Sequence, residues 1–104
     1  MAVIDLRGTV QGTANGALSL ALEGELDLAS EHLVTSWMGA FQAETTYVID
    51  LSGVTFIDSH GLAALLKAQT LASQTNATLI LRSPSKQALE LLRLTQLDAH
   101  FTVA

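Results

Sequence analysis

The sequence lacks cysteine and long apolar runs, and each absence excludes a class of protein. Without cysteine, the 104 residues cannot form disulfide bonds, thiolate metal sites or a thiol nucleophile. No apolar run approaches the ~20 residues that a membrane-spanning helix needs. The N-terminus also lacks the basic start and apolar stretch of a signal peptide. We therefore expect a cytoplasmic protein with no direct membrane insertion.

Charge, and positive charge above all, is scarce. Charged residues make up 14% of the sequence, against about 25% in typical soluble domains, and the net charge is −5. A protein that binds nucleic acid needs a clustered basic face to neutralise phosphates. The five basic residues are instead scattered along the chain: Arg7, Lys67, Arg82, Lys86 and Arg93. We therefore expect no nucleic-acid partner.

The residues that are present predict one folded domain. Apolar residues make up 49% of the sequence, which is typical of a chain that buries a core. A length of 104 residues leaves room for one core, so we expect a single compact domain over residues 1–104.

Hydrophobic periodicity in the first half predicts two strands and a helix. Residues 2–7 favour an edge strand, and residues 17–23 alternate between apolar and small or polar side chains, as in a half-buried antiparallel strand. Apolar residues then recur at helical spacing over residues 29–43. They are Leu33, Val34, Trp37 and Phe41. Asp27 and Ser30 are both candidate N-caps for this helix, because the oxygen of either side chain can accept a hydrogen bond from an unpaired backbone N–H.

The second half predicts alternating strands and helices. Residues 46–51 indicate a central strand covered on both faces, and residues 78–82 another strand. A helix should run from Asp58–Ser59 to about residue 75. Ser83–Pro84 favours the start of a third helix, with Ala88, Leu89 and Leu92 facing inward. With a last strand near residues 100–103, the order predicts an α/β fold, a mixed sheet of about five strands with helices packed against it.

Ser59 is the candidate functional residue, because a hydroxyl in the first turn of a helix is usually accessible to solvent. The N-terminus of a helix carries unpaired N–H groups and roughly half a positive charge, so the domain would tolerate a phosphate there. Phosphorylation adds about −1.5 to −2 charge. The expected effect is repulsion of a docked partner without unfolding of the domain. The residues alone leave open the simpler alternative that Ser59 only caps the helix.

Two motifs resemble the STAS domain as found in bacterial anti-sigma factor antagonists. Residues 50–62, Asp-Leu-Ser-Gly-Val-Thr-Phe-Ile-Asp-Ser-His-Gly-Leu, are similar to the family signature, and residues 24–27, Gly-Glu-Leu-Asp, to a second landmark upstream. The resemblance implies that Ser59 is phosphorylated by a partner that is both an anti-sigma factor and a serine kinase. It also implies that the unphosphorylated form binds this partner, and that a serine phosphatase resets the switch.

The resemblance assigns flanking positions around Ser59. Asp27 and Asp58 match acidic family positions near the phosphorylation site, although Asp27 fits an N-cap equally well. His60 stands where many relatives have a second small hydroxyl residue. Gly61 is best explained by close backbone packing beneath the exposed turn. We expect these four residues to flank the site or contact the partner.

An enzyme is not expected. Asp58, Ser59 and His60 are neighbours in one helical turn, so their side chains point about 100° apart and cannot form a triad. The sequence has no metal-ligand spacing and no glycine-rich phosphate loop, so no cofactor is expected. Two alternatives remain. One is a non-switching STAS scaffold subunit of a larger complex, such as a lipid-transport ATPase. The other is nucleotide binding near Asp27 and Asp58, which the local acidity disfavours.

Overall fold

The computed structural model describes residues 4–12, 17–39 and 46–104. Within these ranges the chain forms five strands, three α-helices and one short 3₁₀ turn, in the order that the sequence predicts. The elements are β1 (Leu6–Gly12), β2 (Ala17–Leu26), α1 (Glu31–Gly39), β3 (Thr46–Ile57), α2 (Ser59–Gln74), β4 (Thr78–Arg82), α3 (Lys86–Leu94), the 3₁₀ turn (Asp98–His100) and β5 (Thr102–Val103). The prediction of a compact α/β domain with a mixed five-stranded sheet is confirmed.

The sheet follows the order of the chain, β1-β2-β3-β4-β5. Strand β1 pairs antiparallel with β2, as predicted for the opening pair, and the other three pairings are parallel. A parallel pair needs a crossover connection, and each of the three α-helices provides one. The carboxyl ends of β2, β3 and β4 therefore lie at the same edge of the sheet, and each leads into a helix.

The core lies between the three helices and one face of the sheet. Alternate residues of the central strands point into it, because successive side chains of a strand face opposite ways. Those of β3 are Tyr47, Ile49 and Leu51, and buried residues of all three helices join the same cluster. Val48 points to the opposite face and lies outside this cluster, although only 7% of it is exposed. Both faces of β3 are thus covered at this point, as predicted, but the helices pack on one of them.

Three strands extend further than predicted. Strand β2 continues past the predicted end at residue 23 to Leu26, where it still pairs with β3. Strand β1 continues through Gly8 to Gly12, beyond the predicted end at residue 7. Its outer part stays paired with β2, and the Trp37 ring from α1 packs onto Gly8, where an added Cβ would lie 2.8 Å from the ring. Strand β3 continues past residue 51 to Ile57, because its outer part keeps pairing with β2 through two register shifts. The predicted strand residues 2 and 3 lie outside the described residues.

The first and third helices also differ from prediction. Helix α1 starts at Glu31, and the predicted segment beyond residue 39, with Phe41, lies outside the described residues. Helix α3 starts at Lys86, two residues after the predicted Pro84, and Ser85 is its N-cap, with Oγ accepting the N–H of Ala88 at 3.1 Å. Leu89 was predicted to face inward but is 45% exposed, because the inward face of this short helix is occupied by Ala88 and Leu92.

Candidate functional site at the carboxyl ends of two strands

The candidate site lies where β2 and β3 end side by side. Leu26 pairs with Ile57 in the parallel register, and the Asp58 N–H donates to the Leu26 carbonyl oxygen at 3.3 Å. Asp27 and Asp58 each follow the last residue of their strand. The register therefore brings to one edge of the sheet the two acidic positions that lie 31 residues apart in the sequence.

Asp58 is the N-cap of α2. Its backbone is extended, and its Oδ1 accepts hydrogen bonds from the N–H of His60 at 2.9 Å and of Gly61 at 3.0 Å. These donors belong to the first turn of the helix, where no backbone acceptor is available to them. The carboxylate of Asp58 thus fixes the backbone on both sides of Ser59.

Ser59 is the first residue of α2 and is exposed, as is His60 after it. Helix α2 has 16 residues, and the partial positive charge of its N-terminus lies beside the Ser59 hydroxyl. Oδ1 of Asp58 accepts the backbone N–H of His60, which makes Asp58 a cap of this turn. The position offers an accessible hydroxyl on a backbone that its neighbours hold in place.

Gly61 lies under this turn, where α2 approaches the end of β2. It is buried, and an added Cβ would overlap the Leu26 carbonyl group and lie 2.9 Å from Cγ1 of Ile57. Only a residue without a side chain lets the first turn of α2 approach the strand ends this closely. The structure therefore gives Gly61 the close-packing place that the sequence predicts.

Asp27 is part of a separate turn that leads into α1. Its Oδ1 accepts the Ala29 N–H at 3.1 Å, and its own N–H donates to Oγ of Ser30 at 3.1 Å. Ser30 is fully buried and its hydroxyl donates to the Glu25 carbonyl oxygen at 2.9 Å. Asp27 thus stabilises the backbone of its turn, and Ser30 links this turn to the end of β2.

Several residues around this edge were not predicted from the sequence. Leu28 and Phe56 are 61% and 39% exposed, and they come from the turn after β2 and the end of β3. The side-chain amide of Gln87, on α3, hydrogen-bonds both backbone groups of Ile57. Isolated apolar residues and a helical glutamine carry no signal in a sequence, and only the folded chain places them beside the site.

Two of the five basic residues lie beside carboxylates. Arg7 lies 3.5 Å from Asp5 and 3.7 Å from Glu23, and Arg93 lies 3.4 Å from Glu90. On the sheet, the backbone N–H of Ser52 donates to Asp50 Oδ1 at 2.9 Å and lowers the pKa of Asp50, with a smaller contribution from the positive charge of Arg82.

Within residues 4–12, 17–39 and 46–104, no group of three or more histidine, aspartate or glutamate side chains could hold a metal ion. None of the described helices is both long and apolar enough to cross a membrane.

Solved structures with this fold are similar over most of their length. A putative anti-sigma factor antagonist from Thermotoga maritima is 23% identical, with a TM-score of 0.83, and the match covers 92% of this chain and 84% of that one. An anti-sigma factor antagonist from Mycobacterium paratuberculosis is 25% identical, with a TM-score of 0.70 and coverage of 94% and 84%. The Bacillus cell fate determinant SpoIIAA in its phosphorylated form is 19% identical, with a TM-score of 0.67 and coverage of 94% and 91%.

The sequence itself identifies the family. A comparison with curated proteins finds no match. The STAS domain model, in contrast, matches residues 10–104, which include both motifs and every element from β2 to β5. This chain therefore belongs to the STAS domain family.

Proposed function

We propose that this chain is an interaction switch of the anti-sigma factor antagonist type. While Ser59 is unphosphorylated, the protein binds a partner that is both an anti-sigma factor and a serine kinase. Phosphorylation of Ser59 by that partner releases it, and a serine phosphatase restores the binding form. The protein acts by binding and not as an enzyme, and we place it in the cytoplasm.

The observation that carries this proposal is the exposed Ser59 at the first position of α2, on a backbone that Asp58 holds through two hydrogen bonds. A phosphate at this position would face unpaired N–H groups and the positive end of the helix, so the fold would tolerate it. A docked partner would meet about −1.5 to −2 added charge at a surface that already contains Asp27 and Asp58. The exposed Leu28 and Phe56 provide apolar area for that partner.

The fold supports the same class of function. The similar structures include anti-sigma factor antagonists from two organisms and one STAS relative in a phosphorylated form. The alternative, a non-switching scaffold subunit, shares the fold but does not need an accessible hydroxyl at this position.

The proposal is tested by mapping the phosphate. The purified protein is incubated with Mg-ATP and each histidine-kinase-like serine kinase of its source organism, and the modified peptide is identified by mass spectrometry. We expect one phosphate, lost in Ser59→Ala and retained in Ser52→Ala, which removes another exposed serine nearby. A phosphate that persists in Ser59→Ala would contradict the proposal.

The release step is tested by calorimetric titration of the same kinase with both forms of the protein. We expect the phosphorylated form to bind at least about tenfold more weakly, a difference of about 1.4 kcal/mol or more. Equal affinity of the two forms would instead favour the scaffold. A parallel titration with GTP and ATP tests nucleotide binding near Asp27 and Asp58, for which we expect no heat of binding.

A further inference from the structure

The end of β3 next to Ser59 has a strand neighbour on one side only, as far as the described strands show. Its pairing with β4 covers Thr46–Asp50, opposite Thr78–Arg82. Its pairing with β2 continues to Leu26 and Ile57. Backbone N–H and C=O groups need partners when they are taken from water, so the remaining edge of β3 must be satisfied in another way.

The direction of the backbone groups at Ile57 follows from its neighbour. The Asp58 N–H points to β2, where it donates to the Leu26 carbonyl oxygen. Consecutive residues of a strand direct their hydrogen-bonding groups to opposite sides, so the N–H and C=O of Ile57 point away from β2. They point to the side that a longer β4 would occupy.

The side chain of Gln87 occupies that position. Its Oε1 accepts the Ile57 N–H at 3.4 Å, and its Nε2 donates to the Ile57 carbonyl oxygen at 3.2 Å. A primary amide carries a donor and an acceptor in one plane, so it can pair with both groups of a strand residue as a neighbouring strand does. Gln87 thus takes the place of the missing β4 residue, from the first turn of α3.

We infer that Gln87 is a positioning residue for Ser59. It braces Ile57, the last residue of β3, and Ile57 directly precedes the Asp58 cap that holds the first turn of α2. This inference rests on the proposed function insofar as it concerns phosphorylation. Helix α3 contains none of the motif residues. Through Gln87, however, it becomes part of the structure that presents Ser59 to a kinase.

The two hydrogen bonds are long, so each is weak, and Gln87 is largely exposed. Removing the Gln87 amide should therefore let the end of β3 open more often without exposing the core. A positioning role predicts faster local opening of the backbone at the end of β3, with a nearly unchanged free energy of global unfolding. A general structural role predicts a fall in the free energy of global unfolding.

Amide hydrogen exchange by NMR tests the brace directly. Gln87→Met keeps the side-chain length and removes both hydrogen-bonding groups. Glu90→Met is the matched control, because Glu90 and Gln87 both line a surface groove beside Ile57, but the Glu90 carboxylate pairs with Arg93 and not with β3. We expect exchange at Ile57, His60 and Gly61 to accelerate about fivefold in Gln87→Met. The control should leave these three amides unchanged.

Phosphorylation kinetics test the consequence, using the serine kinase that modifies the wild-type protein. We expect kcat to fall roughly three- to tenfold in Gln87→Met with KM nearly unchanged, because the partner still docks but meets a less ordered serine. Gln87→Glu keeps the acceptor for the Ile57 N–H, so its kcat should lie between those of the wild type and Gln87→Met. A rise in KM alone would overturn the inference, since it would make Gln87 a docking residue.

The exchange experiment also separates this inference from the proposed function. Unchanged exchange at His60 and Gly61 in Gln87→Met overturns the positioning role even if Ser59 is phosphorylated. A wild-type protein that no kinase modifies contradicts the proposed switch, while accelerated exchange at the three amides would still support the brace.

Discussion

Replacing Gly61 with alanine tests the packing that holds the candidate site in place. An ideal Cβ at this position would overlap the Leu26 carbonyl group and lie 2.9 Å from Cγ1 of Ile57. The first obstacle is backbone at the end of a paired strand, so a change of side-chain rotamer cannot relieve the overlap. Either the first turn of α2 or the end of β2 must move.

The size of the effect follows from two opposing contributions. Overpacking at a close contact costs about 1–3 kcal/mol, and the rigid backbone obstacle favours the upper part of that range. Alanine is more favourable than glycine within a helix, and this preference stabilises the folded state by up to about 1 kcal/mol. We therefore expect Gly61→Ala to lower the free energy of unfolding by about 2 kcal/mol.

Urea unfolding followed by circular dichroism and by the fluorescence of Trp37 measures this difference. With a slope of about 1.5 kcal/mol/M, the midpoint should fall by about 1.3 M. Gly12→Ala is the control, because the nearest atom to its added Cβ is Cδ2 of Leu18 at 3.8 Å, an ordinary contact. It should be neutral or up to about 1 kcal/mol stabilising. A Gly61→Ala protein as stable as the wild type would refute the argument that close approach explains this glycine.

Three further predictions concern charges near and beyond the site. Asp58→Ala should lose about 1 kcal/mol of stability in thermal unfolding, whereas Asp58→Asn keeps an accepting oxygen and should lose less than about 0.5 kcal/mol; equal losses would mean that capping is not the reason for this residue. Ser59→Asp should gain about 0.3–1 kcal/mol at low salt from the helix dipole, and a gain that survives 1 M salt would contradict this cause. The pKa of Asp50 is lowered in the folded state, so its stabilisation is present above the unfolded pKa of about 3.9 and is lost as the pH falls through the folded pKa. The wild type should therefore be more stable than Asp50→Asn at pH 7 and no more stable than it at pH 2; a difference in unfolding free energy that persists in acid would refute the linkage.

Features with local causes could be predicted from the sequence. The alternation of Leu18, Leu20 and Leu22 predicts strand β2 because it depends only on neighbouring residues. The start of α2 at Asp58–Ser59 follows in the same way from the apolar helical pattern after it, although the structure makes Asp58 the cap and not Ser59. These two elements already define where the candidate site lies.

Features with distant causes could not be predicted. Glycine at position 8 indicates a break in a strand, but β1 continues because it stays paired with β2, and the Trp37 ring fills the space above the glycine. At the start of α3, the sequence predicts Ser83 as the capping hydroxyl and Pro84 as the first helical residue. The structure uses Ser85, because the Ser83 N–H donates to the Ala104 carbonyl oxygen and its φ of 52° is left-handed.

The residues that hold the backbone around Ser59 are distinct from the Ser59 side chain, which a partner would contact. Asp58, Gly61 and Gln87 each bond or contact the backbone of the strand ends or the helix turn, and the Ser59 side chain is exposed beyond them. A phosphate should therefore change what a partner meets and leave the fold intact. We expect phosphorylation to change the free energy of unfolding by less than about 1 kcal/mol, while partner affinity falls by about tenfold or more. The opposite result would be a large loss of stability on phosphorylation while the remaining folded protein binds the partner with unchanged affinity. It would show that the phosphate acts by local unfolding and not by repulsion.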